Sequence, residues 1–377
     1  MTTDTIKDLS AMAQAEPALH EHIDRVGIEF YSRWKEYILG DVINLKRGYD
    51  LPSQNRKAGS IPIFSSSGIT DHHNVSMKEG PGVITGRYGT IGKVFYTDKP
   101  YWPLNTTLYV QNFRGNLPKY IFYFLQGLDF EKYSDKSAVP GVNRNELHKE
   151  IVVLPPLPEQ IAIASILSSL DDKIDLLQRQ NKTLEQLAET LFRQWFVEEA
   201  EELTIHELGK IATVGTGNGL KTEEFNENGE FPILGANGEI GRTNKFLTDE
   251  RMILTGRVGT LGKVYINENR VWISDNVLMI KPIERIYFYS IYFSLLRIDF
   301  ENMNVGSTQP LVTQTDLKKV ELSLPSQLRL EEFSDICSLY FDKINKNTTQ
   351  IRTLIQTRDA LLPKLMSGEV RVKMSEL

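Results

Sequence analysis

The stretch GRYGTIGKV at residues 86–94 returns as GRVGTLGKV at residues 256–264, and this repeat decides the fold. Seven of the nine positions are identical, and the offset between the two stretches is 170 residues. The same offset relates the Asp-Phe-Glu triplet at 129–131 to the one at 299–301. Because one offset persists across most of a copy, the chain is predicted to be two copies of one unit behind a short N-terminal segment.

Each copy is predicted to contain a globule of strands and turns followed by a long helix. Residues 35–157 and 203–325 alternate Gly, Asn, Ser and Thr with short β-branched and aromatic runs, a pattern typical of mixed α and β globules. Each globule also carries one short aromatic segment of helical character, at 119–128 and 286–296. The predicted order is an N-terminal helical segment at 1–34, a globule at 35–157, a helix at 158–202, a globule at 203–325 and a helix at 326–377.

The two long helices share an apolar stripe with spacings of four and three residues, which predicts a coiled coil. An antiparallel register that opposes Asn181 with Asn347 avoids a buried amide without a partner, and it leaves Arg358 opposite Leu170, where the charged end must reach solvent. The predicted fold is therefore α+β, with two pseudo-repeated mixed α/β domains joined by two long antiparallel coiled-coil helices. The seam residues are Leu170, Ile174, Leu177, Asn181 and Leu184 in the first helix and Tyr340, Ile344, Asn347, Ile351 and Leu354 in the second.

Composition limits the class of protein. The 377 residues include a single cysteine, Cys337, which excludes a disulfide framework and a Cys-rich zinc site and favours the reducing cytoplasm. No basic start precedes an apolar core, and no run of 18 apolar residues occurs, so neither secretion nor a membrane span is expected. The histidines lack metal-binding spacing, and neither a methyltransferase motif nor a nuclease carboxylate cluster is present. The chain is predicted to bind and to carry no catalytic residue and no metal.

The formal net charge of −6 argues at first against nucleic acid, but the charge is unevenly distributed. Residues 35–157 carry 15 basic and 11 acidic side chains, a net charge of +4, whereas residues 158–202 carry 4 and 10, a net charge of −6. Residues 203–325 carry 13 and 15, a net charge of −2. The acidic total therefore comes largely from a helix, and the globules remain compatible with DNA.

Basic and amide side chains that the sequence places in polar and Gly-rich loops are the candidates for DNA contact. Arg pairs with phosphate or with guanine O6 and N7, Asn and Gln pair with adenine, and Tyr stacks or contacts the backbone. Arg87 and Arg257 occur in both copies and are expected to hold phosphate or brace a turn, whereas Asn143-Arg144, opposite Thr313-Gln314, are candidates for specificity. The candidates are Lys46, Arg47, Tyr49, Arg56, Arg87, Tyr88, Asn143 and Arg144 in the first copy and Asn218, Lys221, Asn237, Arg242, Arg257 and Gln309 in the second.

Residues 139–196, VPGVNRNELHKEIVVLPPLPEQIAIASILSSLDDKIDLLQRQNKTLEQLAETLFRQWF, closely resemble the central shared region of specificity subunits of type I restriction-modification systems. Residues 361–372, LLPKLMSGEVRV, resemble the C-terminal shared region of the same family. The second copy departs from the pattern at 324–330, LPSQLRL, where the Glu-Gln pair after the prolines is missing. This departure affects the start of the second long helix.

The resemblance implies that each globule is a target recognition domain that reads one half of a split double-stranded DNA sequence, with the helices as a spacer. It also implies docking of two methyltransferase subunits, which methylate adenine N6 with S-adenosylmethionine, and of restriction subunits that use ATP and Mg. No cofactor is expected in this chain. Two alternatives remain open: the specificity subunit of a fused nuclease-methyltransferase system, and a coiled-coil scaffold without DNA readout.

The N-terminal segment is expected to imitate the end of the first long helix. Phe30 and Trp34 have the spacing of Leu191 and Trp195, so residues 18–38 are predicted to form a helix that packs beside the C-terminal helix.

Overall fold

The computed structural model describes residues 34–134, 141–199, 202–258, 261–300, 302–303 and 311–372. The chain divides into two compact units, one formed by residues up to 177 together with those from 349 onward, the other by residues 178–348. The division cuts both long helices. Each unit therefore contains one globule together with its own stretches of the two helices, whereas the predicted domain bounds separate the globules from the helices.

The first unit contains two small sheets and a two-stranded ribbon. The larger sheet has the antiparallel order β2-β8-β5-β6, the smaller has the order β4-β3-β7, and β1 pairs with β9. The strands are β1 Lys35–Ile38, β2 Asn44–Arg47, β3 Ile61–Ser65, β4 Gly68–His73, β5 Gly82–Gly86, β6 Val94–Thr97, β7 Trp102–Pro103, β8 Thr107–Asn112 and β9 Ile151–Leu154. The helices are α1 Leu39–Val42, α2 Pro118–Gln126, α3 Arg144–Leu147 and the first part of α4 Leu157–Arg193, with 3-10 turns at Ser53–Asn55 and Glu131–Tyr133.

The second unit repeats this topology strand for strand. Its sheets have the orders β11-β17-β14-β15 and β13-β12-β16, and β10 pairs with β18. The strands are β10 Thr204–Glu207, β11 Ala212–Thr216, β12 Phe231–Gly235, β13 Gly238–Thr243, β14 Met252–Gly256, β15 Val264–Asn267, β16 Trp272–Ile273, β17 Val277–Pro282 and β18 Glu321–Leu324. The helices are α5 Leu208–Ile211, α6 Phe288–Leu295, α7 Gln314–Lys318 and α8 Gln327–Ser367, with 3-10 turns at Thr222–Glu224 and Arg285–Tyr287. The predicted tandem repeat is thus confirmed, down to a β-bulge at Ile63/Phe64 and its counterpart at Ile233/Leu234.

The aromatic helices α2 and α6 form the centre of each core. Tyr120 and Ile121 of α2 are fully buried among residues of β2, β8 and the start of α4. Phe293 of α6 stacks on Phe192 of α4 at 5.6 Å and meets Phe333 of α8 edge to face. The strong apolar character that identifies these helices in the sequence therefore reflects burial on most sides.

Helix α4 begins as expected and ends earlier than expected. Pro158 is its second residue, and its 37 residues correspond to about 55 Å. The predicted continuation to residue 202 is wrong, because a π turn at Gln194–Glu198 ends the helix. This turn accompanies the packing of Trp195 and Phe196 against Phe333.

Helix α8 begins at the position equivalent to the start of α4, although the Glu-Gln pair is missing there. It ends at Ser367 instead of continuing to 377, because Gly368 adopts a left-handed φ of 76° that stops the helix.

Within the second unit the two helices run antiparallel. Asn347 Nδ2 donates a hydrogen bond to Asn181 Oδ1 at 2.8 Å, and Arg329, near the other end of this stretch, lies over the Trp195 ring. The Asn181–Asn347 contact has the partners that the sequence predicts. Asn347 is 1% exposed and also donates to Gln180, so its amide group is held inside the seam.

Within the first unit the helices also run antiparallel. Leu170, Ile174 and Leu177 of α4 form one buried cluster with Leu354 of α8. Arg358 Nη1 binds Asp171 Oδ1 at 2.9 Å. The Arg358 guanidinium was predicted to reach solvent opposite Leu170, and it binds the Asp171 carboxylate instead.

Most of the predicted N-terminal helix lies outside the described residues. Residues 35–38 form strand β1 instead of the end of a helix, because they pair with β9. Trp34 does resemble Trp195: its Nε1 donates to Glu159 Oε2 at 3.0 Å, and Glu159 occupies the position of Arg329, which lies over the Trp195 ring. Trp34 and Trp195 thus contact equivalent positions of the two long helices through different interactions, and Phe30 lies outside the described residues.

Candidate nucleic-acid interface

An open cleft of about 400 Å³ lies at the end of strand β2 in the first unit. Three separate parts of the chain supply its side chains: Arg47 comes from β2, Arg87 and Tyr88 follow β5, and Asn143 and Arg144 come from the start of α3. These are five of the predicted DNA contacts. No acidic side chain is among the lining residues, so the cleft has a positive potential that favours an anionic ligand.

Glycines allow the segments of the cleft to approach each other. An added Cβ at Gly86 would lie 1.9 Å from the Thr90 carbonyl oxygen, and one at Gly141 would lie 2.1 Å from the Tyr88 ring. The Arg87 carbonyl accepts a hydrogen bond from the Val142 N–H at 2.9 Å, which joins two of the three segments. Gly86 of the repeated motif therefore supports a tight turn, and Gly141 allows the close approach of the Tyr88 ring.

The three guanidinium groups have different surroundings. Arg87 stacks over the Tyr88 ring at 4.5 Å. Arg144 donates to Asn145 Oδ1 at 3.1 Å, which orients its fork. Arg47 is exposed, and within the described residues its side chain makes neither a hydrogen bond nor an ion pair. Because Arg remains charged at every physiological pH, three such groups without a carboxylate form a site ready for phosphate or base edges.

The second unit repeats the backbone of this site with different side chains. Arg257 takes the place of Arg87, and its carbonyl accepts from the Val312 N–H at 3.0 Å, as Arg87 does from Val142. The other equivalents are neutral, and Gln314 Nε2 donates to Thr216 Oγ1 at 3.4 Å. Arg257 Nε is buried and has no hydrogen-bond partner among the described residues. The positions equivalent to Arg47, Tyr88, Asn143 and Arg144 are Thr216, Val258, Thr313 and Gln314.

The remaining candidates of the first unit lie outside the cleft. Lys46 and Arg47 lie on strand β2 and not in a loop, so their side chains point to opposite faces and only Arg47 lines the cleft. The Tyr49 hydroxyl pairs with the Tyr109 hydroxyl at 2.8 Å, and this hydrogen bond lowers the pKa of Tyr49. Arg56 binds Asp71 at 3.0 Å.

The remaining candidates of the second unit have contacts of their own, and Asn218 lines a cleft of about 400 Å³ together with Thr216. Arg242 donates to the carbonyls of Gly229 and Glu230, each at 2.8 Å, and thereby fixes a loop. The backbone carbonyls of two asparagines accept hydrogen bonds, at Asn218 from the Trp272 side chain and at Asn237 from the Lys263 ammonium. Lys221 is exposed, before the 3-10 turn at Thr222–Glu224. Gln309 lies outside the described residues.

Asn145 and Thr216 were missing from the list of candidates, and Gln314 was named only as the residue opposite Arg144. Asn145 orients Arg144, and Thr216 and Gln314 pair with each other at the second site. The alignment of the copies carried the signal for the last two, because it places them opposite Arg47 and Arg144. No sequence pattern indicated the role of Asn145, because that role depends on the contact of its side chain with the Arg144 guanidinium.

The described residues contain no group of three or more His, Cys, Asp or Glu side chains arranged to hold a metal ion. In the same parts of the chain, every helix is too short or too polar to cross a membrane. Cys337 is a buried free thiol, and burial raises its pKa.

A family model described as "Type I restriction modification DNA specificity domain" matches the chain twice, at residues 31–186 and 198–356. Among curated proteins, the type I restriction enzyme MjaIX specificity subunit of Methanocaldococcus jannaschii is 26% identical over 325 residues, which are 72% of this chain and 74% of the relative. The MjaVIII specificity subunit of the same organism is 21% identical over 299 residues, which are 67% and 70% of the two chains.

A solved structure supports the fold. The crystal structure of a type I restriction-modification system S subunit from M. genitalium aligns with a TM-score of 0.68 at 18% identity, covering 93% of this chain and 99% of that one. These comparisons lend no support to a coiled-coil scaffold or a fused nuclease-methyltransferase system. Because the two matched segments make up most of the sequence, the chain belongs to the family of type I restriction-modification DNA specificity subunits, whose recognition role is the one that its sequence predicts.

Proposed function

We propose that this chain reads a two-part DNA sequence, with the Arg47–Arg87–Arg144 cleft contacting one half-site and the Arg257–Gln314 site contacting the other. The observation that carries the proposal is the convergence of three guanidinium groups without a carboxylate on one cleft. Its counterpart at equivalent positions of the second unit supplies a second, chemically different surface.

The electrostatics of the two sites fit unequal shares of the binding energy. The first site brings three positive charges to DNA and the second brings one, so most counterion release would come from the first half-site. The modest net charge of both globules implies weak DNA binding by the isolated chain. Partner subunits would then supply much of the phosphate neutralisation.

The proposal includes two methyltransferase subunits, one for each copy of the repeat, and restriction subunits that join through the same complex. S-adenosylmethionine, ATP and Mg belong to those partners, and this chain supplies only recognition. The long helices would set the spacing between the half-sites. The complex would act in the cytoplasm, where Cys337 stays a free thiol.

The test is to map methylated adenines in cells that carry this chain with its partner methyltransferase. The expected result is methylation at one two-part motif with a fixed spacer. The double variant Arg47→Ala and Arg87→Ala should lose methylation at the whole motif, because both half-sites must be bound together. Methylation without a two-part motif, or unchanged methylation by the variant, would contradict the proposal.

A matched control is Lys99→Gln. Lys99 is exposed and lies just after strand β6. Thr97, the last residue of β6, pairs with Gly82, the first residue of β5. Arg87 follows the other end of β5, so Lys99 lies away from the cleft. The control removes a positive charge from the same globule but away from the cleft, so the methylation pattern should be retained.

A further inference from the structure

We infer that the residue pair 47/144 and its counterpart 216/314 determine one base of each half-site: Arg47 and Arg144 select guanine, and Thr216 and Gln314 select adenine. This inference rests on the proposed function and names the chemistry that each site reads. It concerns base edges in the major groove, where guanine and adenine present different donors and acceptors.

The first pair offers only donors. Arg47 has its full set of N–H groups available among the described residues, and Arg144 is held by Asn145 through one edge of its fork. Guanine presents two acceptors in the major groove, O6 and N7, which match a guanidinium fork. Adenine presents an amino group at the place of O6, and this group would face another donor. The first site therefore discriminates in favour of guanine.

The second pair offers a donor and an acceptor together. Gln314 uses one N–H of its amide for Thr216 Oγ1, at 3.4 Å, and this contact turns the side chain toward β11. The second N–H and the carbonyl oxygen of the amide remain for a ligand. Adenine matches this set, because its N7 accepts and its N6 amino group donates. Thr216 thus acts as a positioning residue for Gln314.

The arginine that both copies share has a different task. Arg87 and Arg257 hold equivalent backbone contacts, since their amides donate to Thr106 and Asn276 and their carbonyls accept from Val142 and Val312. A side chain common to both sites cannot make the sites differ. It suits phosphate, which is the same at every nucleotide. The difference in base preference is therefore assigned to the positions where the two copies diverge.

The experiment exchanges the two pairs in the complex assembled with its methyltransferase subunits. Bound duplexes are selected from a pool in which every position is randomised, and the half-sites are read by sequencing. The variant R47T/R144Q should replace one guanine of the first half-site by adenine and leave the second unchanged. The variant T216R/Q314R should make the reverse change in the second half-site alone.

A third variant, R47M/R144M, keeps long side chains and removes every N–H donor of the pair. It should lose roughly 5- to 150-fold of the preference for guanine at that position. This variant tests the assignment of guanine to Arg47 and Arg144 if an exchanged pair abolishes DNA binding. The Lys99→Gln control should select the native sequence.

The outcomes separate the inference from the proposed function. Native half-sites selected by both exchanged variants, or a retained guanine preference in R47M/R144M, would overturn the assignment of the pairs while leaving a two-part DNA reader intact. If the native complex itself selects no two-part sequence, the proposed function fails, and the inference fails with it.

Discussion

The two copies of the repeat have the same backbone and different recognition surfaces. At the cleft, equivalent backbone hydrogen bonds join Arg87 to Val142 and Arg257 to Val312. Around these bonds the first copy places two more arginines and a tyrosine, and the second places neutral side chains. The difference shows that the glycine turns and strand order create a platform, and that a few side chains on it can be exchanged without altering the fold.

The copies also differ where Trp34 and Trp195 pack. In the first unit, Glu159 accepts from Trp34 Nε1 and forms a two-pronged salt bridge with Arg371, at 2.6 and 2.9 Å. The Glu159 side chain is only 3% exposed. In the second unit, Arg329 replaces Glu159 and stacks on Trp195 at the surface. The first unit therefore depends on a buried charge pair, whereas the second uses an exposed cation over an aromatic ring.

The largest effect is expected when this charge pair is broken. Arg371→Ala leaves the buried Glu159 carboxylate without its cation and should lower the free energy of unfolding by about 3 kcal/mol. The second-copy counterpart, Arg329→Ala, should cost at most about 1 kcal/mol, because its ring contact is exposed. Urea unfolding of the full chain, followed by tryptophan fluorescence, measures both. Equal costs of the two substitutions would contradict the expected difference between the Trp34 site and the Trp195 site.

The seam of the second unit contains a buried amide pair, whereas the described seam of the first unit has an apolar cluster, and this difference is tested next. Asn347→Leu removes the donor to Asn181 and should cost about 1 kcal/mol in the free energy of unfolding. With Asn181→Leu also present, an apolar pair resembling Leu177 and Ile351 forms, and the double variant should be more stable than the sum of the single changes implies. Additive costs in this double-mutant cycle would contradict the pairing.

A smaller and equal effect is expected from the arginine that both copies share. Arg87→Ala and Arg257→Ala should each weaken binding at cognate and scrambled DNA alike, and each should lower the slope of log affinity against log salt by about 1. Titration of the assembled complex at several salt concentrations measures this. A change in the preferred half-site with either variant would assign base contact to that arginine.

The smallest effect is a dependence on pH through His148 of the first unit. His148 Nε2 accepts the Leu45 N–H at 3.0 Å, and burial, aided by Arg144 and Arg114, lowers the pKa of His148 below 6.5. A group with a lowered pKa in the folded state opposes protonation, so its contribution to stability is present above pH 6.5 and is lost as the pH falls. The second copy has Lys318 at this position.

Amide hydrogen exchange at pH 7.5 and pH 5.5 tests this dependence, after correction for the intrinsic rates. Protection of the Leu45 amide should fall at the lower pH relative to Val214, the equivalent residue of β11. His148→Gln keeps an acceptor and should abolish the difference. Persistence of the difference in that variant would assign it to another group.

Several features were predictable from local pattern. The two long helices and their seam were recognisable from an apolar stripe with spacings of three and four residues. The predicted end of helix α4 was too late, because the π turn depends on the packing of Trp195 and Phe196 against Phe333, a residue distant in sequence. Arg47 was assigned to a loop, because a four-residue strand such as β2 is too short for a clear alternating pattern.

The sequence by itself determined the repeat, the α+β class and the Asn181–Asn347 pairing, since periodicity and internal identity are properties of neighbouring or aligned residues. Only the tertiary structure decided which basic side chains act together. Arg47 meets Arg144 because β2, the loop after β5 and the start of α3 converge, and Glu159 meets Arg371 across 212 residues. Such contacts arise from packing the whole unit, and no local pattern encodes them.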